Sequence, residues 1–92
     1  MKHNIYFDGN VQSLGFSIFG EDVTVGVIEP GEYDFGLASR EEQITVLAGA
    51  LFVHGVSAAL GTEIHIAKGE QIVLKAVTSV AYICRYKEEC CS

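Results

Sequence analysis

The sequence predicts an all-β domain, a small sandwich or barrel. Two observations point there. Apolar residues alternate with small or polar ones over short runs, the period of a strand that buries one face. Turn signals separate these runs at intervals of about 8–12 residues, the spacing of a meandering β fold.

Leu14, Phe16 and Ile18 alternate with Ser13, Gly15 and Ser17, and Val23, Val25 and Val27 alternate with Thr24 and Gly26. Each set reads as one strand. Residues 37–42 (Leu-Ala-Ser-Arg-Glu-Glu) are expected to form either a single helical turn or a strand connection. Residues 44–53 are apolar or small on both faces. A strand buried on both sides reads this way. Its β-branched residues and glycine favour a strand over a short buried helix, with one face in the core and the other against a second subunit. Residues 54–61 read as a loop. Ile64 and Ile66 flank His65, which is expected on an outer face. Tyr82, Cys84 and Tyr86 share one face of a closing strand, and Ile83 and Arg85 share the other. The turns fall at Asp8-Gly9-Asn10, Gly20-Glu21-Asp22, Glu29-Pro30-Gly31, Leu60-Gly61 and Lys68-Gly69-Glu70.

Composition narrows the function classes. The 92 residues make one domain, with 88–92 expected as a frayed tail. An apolar content of 49% excludes a disordered chain. The formal charge of −6 argues against general nucleic-acid binding, which needs basic residues facing phosphates. No apolar run approaches the roughly 20 residues that span a bilayer. Met1-Lys2-His3-Asn4 leads into no apolar segment, so no signal peptide is expected. Three cysteines, Cys84, Cys90 and Cys91, show no metal-type spacing and read as reduced thiols of a cytoplasmic protein.

Five segments in order carry a family pattern. They are residues 4–16, Thr24-Val-Gly-Val27, Pro30-Gly-Glu-Tyr-Asp-Phe35, residues 41–51 and Tyr82-Ile-Cys-Arg-Tyr86. Together they resemble the small single-domain cupins described as pyrimidine/purine nucleoside phosphorylases. The resemblance implies a cupin-type β-barrel, jelly-roll-like, and a homodimer. It also implies phosphorolysis: a purine or pyrimidine nucleoside and inorganic phosphate give free base and pentose 1-phosphate. The chain departs from the pattern in having no tryptophan and no proline after Pro30. It reads as shortened between Gly69 and Tyr82, near Leu74–Thr78. The alternative function is therefore a non-catalytic small-molecule-binding cupin, or a structural dimer, that lost activity with that segment.

The candidate residues follow from the chemistry. Metal-dependent cupins carry a His-x-His, a Glu and a later His. Here Glu42 stands alone at the usual distance before Gly49, so neither a metal nor any other cofactor is expected. Phosphate is the co-substrate, and a guanidinium fork suits it. The chain has only Arg40 and Arg85 to offer. Carboxylates supply acid–base work, with Glu32 and Glu42 as the catalytic candidates. Tyr33, Tyr82 and Phe16 are the aromatic candidates for holding the base. Cys84 reads as a buried structural thiol, not a nucleophile.

Overall fold

The computed structural model describes residues 1–86, so the tail at 88–92, with Cys90 and Cys91, lies outside the described residues. Ten strands form two antiparallel sheets packed face to face. The larger contains β1 (Lys2–Tyr6), β2 (Val11–Ile18), β3 (Glu21–Ile28), β5 (Glu42–Ala48), β8 (Glu63–Ile66) and β10 (Val80–Tyr86), ordered β1-β2-β3-β10-β5-β8. The smaller contains β4 (Gly31–Leu37), β6 (Leu51–Val53), β7 (Val56–Ala58) and β9 (Gln71–Ala76), ordered β4-β9-β6-β7. A single 3-10 turn, Phe7–Gly9, joins β1 to β2. This is a cupin-like sandwich, open at its edges where a closed barrel was expected. No helix of the described residues is long and apolar enough to cross a membrane.

The core lies between the sheets. Val11, Ile28, Val46, Leu51, Ile66 and Val80 are fully buried there. The inward row on β10 is Val80, Tyr82, Cys84 and Tyr86, and Ile44 and Val46 of β5 lie beside it in register.

Four expectations change. In β2 and β3 the period is as read, but the cavity-facing row carries the small residues Ser13 and Gly26 between the buried Val11 and Ile28, and of the apolar set on β3 only Val23 is buried. Ser13 is 5% exposed and Gly26 is buried, whereas Leu14, Val25 and Val27 are 43%, 36% and 48% exposed. Small side chains line the inside because the space there is left open, as shown below. Second, residues 44–53 are not one strand. Ile44 and Val46 point into the core from β5, the chain turns at Gly49-Ala50, and Leu51 and Val53 point in from the other sheet. The turn changes the phase from even to odd positions, which makes both faces look apolar in sequence. Leu47, on the face expected against a second subunit, is 46% exposed. Third, residues 54–61 include β7, which pairs with β6 in a hairpin across His54-Gly55. Fourth, the polar segment Lys2–Tyr6 forms edge strand β1, whose mostly exposed residues leave no alternation to read. Residues 37–42 form the strand connection and no helical turn.

Gly49 makes the crossing between sheets possible. Its φ is +90°, and a β-carbon there would collide with the carbonyl oxygen of Ser79. Ala50 beside it is held by an N–H donated to Thr78 Oγ1 at 3.1 Å. Gly49→Ala is expected to destabilise the fold by about 1–3 kcal/mol, read as a lowered midpoint in urea denaturation.

Candidate active site between the sheets

The strand alternation that builds the core also leaves a cavity of about 260 Å³. That is just below the roughly 300–1,000 Å³ of typical ligand pockets. Ile28, Ile44, Leu51, Ile72 and Leu74 give it apolar walls, and Tyr6, Phe35, Tyr82 and Tyr86 give it aromatic ones. Its polar lining comes from Ser13, Ser39, Glu42, Cys84 and the tyrosine hydroxyls. Among the described residues, Glu42 is the only Asp, Glu, Lys, Arg or His in that lining.

Burial holds the Glu42 carboxyl above its ordinary value. Desolvation disfavours the carboxylate more than its neighbours favour it. Those neighbours are the Cys84 thiol, which donates to Glu42 Oε1 at 3.3 Å, and the more distant charge of Arg40. The Cys84 thiol is itself pushed far up by burial and by the facing carboxyl, so it stays a neutral donor and is no nucleophile. Burial also raises the Tyr82 phenol to about 12, chiefly because the ring lies deep between the sheets.

Tyr82 is placed by an absence. It stands opposite Gly26 in the β3–β10 register, and its ring lies over that glycine. A β-carbon on Gly26 would come within 2.6 Å of the Tyr82 hydroxyl and 2.8 Å of the Gln12 carbonyl oxygen.

Arg40 sits at the cavity mouth. Its Nη1 donates to Asp22 Oδ2 at 2.8 Å, and its guanidinium lies 5.2 Å from the centre of the Tyr86 ring. That distance is within cation–π range.

Of the sequence-predicted residues, the fold brings Glu42 and Tyr82 into the cavity and Arg40 to its mouth. It places the others elsewhere. Glu32 lies on the outer side of the smaller sheet, opposite Lys75 across the β4–β9 ladder. Arg85 is exposed on the outer side of the larger sheet, between Val23 and Gln43. Tyr33 is buried, but its hydroxyl donates to the Glu29 carbonyl at 2.8 Å and its ring packs 5.0 Å from that of Phe7. Those contacts tie down the turn before β4. Phe16 lines a groove outside the cavity. Sequence reasoning missed Tyr6, Ser13, Phe35 and Ser39. Ser13 carried a signal in its place within an alternating strand, but only the inward face reveals it. Among the described residues, no three His, Cys, Asp or Glu side chains converge as metal ligands.

Comparison with known proteins decides the family. The family model for pyrimidine/purine nucleoside phosphorylase matches residues 1–86. The chain belongs to that family. A Tolumonas auensis protein named pyrimidine/purine nucleoside phosphorylase is 40% identical over 93 residues, covering 95% of this chain and 99% of that protein. A Vibrio cholerae protein of the same name is 39% identical, covering 94% and 96%. Both alignments run longer than the matched part of this chain, so each relative carries a few residues that this family member lacks. Among solved structures, a Vibrio parahaemolyticus protein described as of unknown function superposes with a TM-score of 0.84 at 38% identity, covering 94% of this chain and 97% of that one. An Acinetobacter protein, also of unknown function, shares the fold with a TM-score of 0.81 at 20% identity.

Gly26→Ala is expected to displace Tyr82 and to cost about 1–3 kcal/mol of stability through overpacking, measured by denaturant unfolding. Tyr82→Phe, which keeps the ring and removes the hydroxyl, should cost less.

Proposed function

We propose that this nucleoside phosphorylase family member splits purine and pyrimidine nucleosides with inorganic phosphate and needs no resident cofactor. The observation that carries this reading is the distribution of charge. A largely apolar, aromatic-walled cavity holds one carboxyl whose pKa is raised, and the nearest guanidinium stands at its mouth. A neutral nucleoside suits the interior. A phosphate dianion does not suit the neighbourhood of Glu42 and is drawn to Arg40 instead.

The base then sits inward among Tyr82, Phe35 and Tyr6, the pentose lies near Glu42, and phosphate approaches from the mouth. The bond from the anomeric carbon to the base nitrogen breaks as a bond from that carbon to a phosphate oxygen forms. The electron pair of the broken bond stays on the base, which takes a proton from the Glu42 carboxyl. The hydrogen phosphate proton returns to Glu42. Nucleoside and hydrogen phosphate thus become base and pentose 1-phosphate, with Glu42 restored. Desolvation keeps Glu42 protonated to higher pH than an exposed glutamate, which suits a general acid. Few polar groups surround the base position, and stacking and apolar contact discriminate weakly between ring sizes. That supports broad specificity. The shortened region does not open the cavity, since Ile72 and Leu74 of β9 still form its far wall.

The reading extends to assembly and compartment. The outer side of the larger sheet carries an apolar row of Leu14, Val25 and Ile83, which face one another across β2, β3 and β10. Ile5, Val27 and Leu47 lie exposed on the same side. Pairing of two such faces supports a homodimer. The unpaired thiol of Cys84 suits a reducing cytoplasm.

Purified protein should release free base from adenosine, guanosine and uridine only when phosphate is present. Folded protein that binds nucleosides without releasing base would point instead to a non-catalytic binding cupin. Glu42→Gln should lower kcat by about 10²–10⁴-fold. It should also remove the alkaline limb of the pH profile, because the acid form of Glu42 is lost as pH rises through its raised pKa. Stability has the same sign. The fold favours the neutral carboxyl, so the wild type loses stability between the ordinary carboxyl pKa and the raised one. The thermal midpoint of Glu42→Gln, relative to wild type, should therefore rise with pH over that window. Val25→Lys should shift the protein from dimer to monomer in light scattering while the circular dichroism spectrum keeps its β signature.

A further inference from the structure

We infer that the open groove beside the cavity mouth is the phosphate subsite, with Lys2 as a second cationic anchor and Gly15 as its floor. This rests on the phosphorolysis reading above and assigns the residues that hold its second substrate.

The groove has a volume of about 630 Å³ and meets the cavity at Tyr6, Ser39 and Tyr86, which line both. An anion held there stands next to the pentose end of a nucleoside in the cavity. The groove also contains Lys2 and Arg40, two of the chain's six lysines and arginines. In a chain of net charge −6, the two cations outnumber Asp22, the one carboxylate lining the same groove, and leave it locally positive. Arg85 and Lys75 lie on outer sheet surfaces and do not reach it.

Arg40 already holds one oxyanion. Its Nη1 donates to the Asp22 carboxylate at 2.8 Å, and Ser17 Oγ donates to the other Asp22 oxygen at 3.1 Å. Asp22 fixes the guanidinium against the Tyr86 ring, and its negative charge opposes an incoming phosphate. A second cation is therefore needed to make the groove favourable for a dianion, and Lys2 supplies it.

Gly15 is the independent observation. Its backbone does not have the positive φ that favours glycine. A β-carbon there would meet Thr24 Cγ2 at 3.6 Å, Asn4 Nδ2 at 3.7 Å and Lys2 Cβ at 3.8 Å, all ordinary contacts. Neither conformation nor packing calls for glycine at this position. What the missing side chain provides is bare floor in the groove, directly opposite Lys2 in the β1–β2 register. A glycine inside a strand often marks a bulge, a bend or a close approach of a ligand to the backbone, and the ladders on both sides of Gly15 run without a bulge.

The test uses inorganic phosphate as its own probe, followed by ³¹P NMR line broadening, alongside steady-state kinetics. Wild-type protein should broaden the phosphate signal, and added salt should weaken the effect. Lys2→Gln should raise the KM for phosphate and the phosphate dissociation constant by about threefold to fivefold, without a matching rise in the KM for nucleoside. Gly15→Val should do the same by filling the floor. Its thermal melt checks that it folds, and Lys2→Gln carries the test if it does not. Phosphate binding that Lys2→Gln leaves unchanged, or no phosphate binding by wild type, overturns the assignment. Lys2-dependent phosphate binding without base release from any nucleoside keeps the subsite and removes the phosphorolysis reading.

Discussion

The structure depends on β10 being hydrogen-bonded on both sides. It lies between β3 and β5, so its backbone groups are paired along both edges and its side-chain direction is fixed. Val80, Tyr82, Cys84 and Tyr86 must then face the smaller sheet. Val80 closes the core, and the other three form one wall of the cavity. Rotation of this strand by one residue would exchange that wall for Ala81, Ile83 and Arg85 and put a guanidinium between the sheets. The neighbouring strands make room for the wall it presents. Gly26 admits the Tyr82 ring, and Glu42 stands opposite Tyr86 in the β5 ladder.

The electrostatics follow from the same arrangement. An apolar interior admits Glu42 at the cost of a raised carboxyl pKa, since a carboxyl has a neutral form available, and its Oε1 accepts the Cys84 thiol hydrogen. A buried arginine has no such neutral form, so the cations stay outside, with Arg40 spread over the Tyr86 ring and paired to Asp22. The carboxyl and the guanidinium are thereby held apart, Glu42 in the cavity lining and Arg40 outside it. A reaction that must protonate one group while an anion attacks the same carbon from elsewhere needs that separation.

The period-two pattern and the turn residues carry most of the fold, because strand alternation and turn chemistry are local properties. The face that points inward is not local. In β2 and β3 the apolar side reads as the buried one, yet the cavity requires the small residues inside, and only the opposing sheet determines that. Glu42 and Tyr82 were legible by residue type, and their positions in β5 and β10 put them on the rows that face the cavity. Arg85 has the right chemistry and the wrong parity, being adjacent to Cys84 and therefore on the opposite face. Glu32 is likewise assigned by residue type and removed by register, across from Lys75. Ser13, Ser39 and Phe35 are unremarkable in sequence and become part of the site only through the packing of the two sheets. Lys2 gave no signal, because an exposed edge strand has no alternation to interpret.

The position of β10 also has a consequence for how the molecule is made. Its partners β3 and β5 precede it by dozens of residues, so pairing closes long loops at an entropic cost that only the finished sheet repays. Before β10 arrives, β3 and β5 are two open edges exposed to foreign strands. The pocket lacks one wall at that stage, since Tyr82, Cys84 and Tyr86 come with the strand. The site is therefore complete only once β10 is paired.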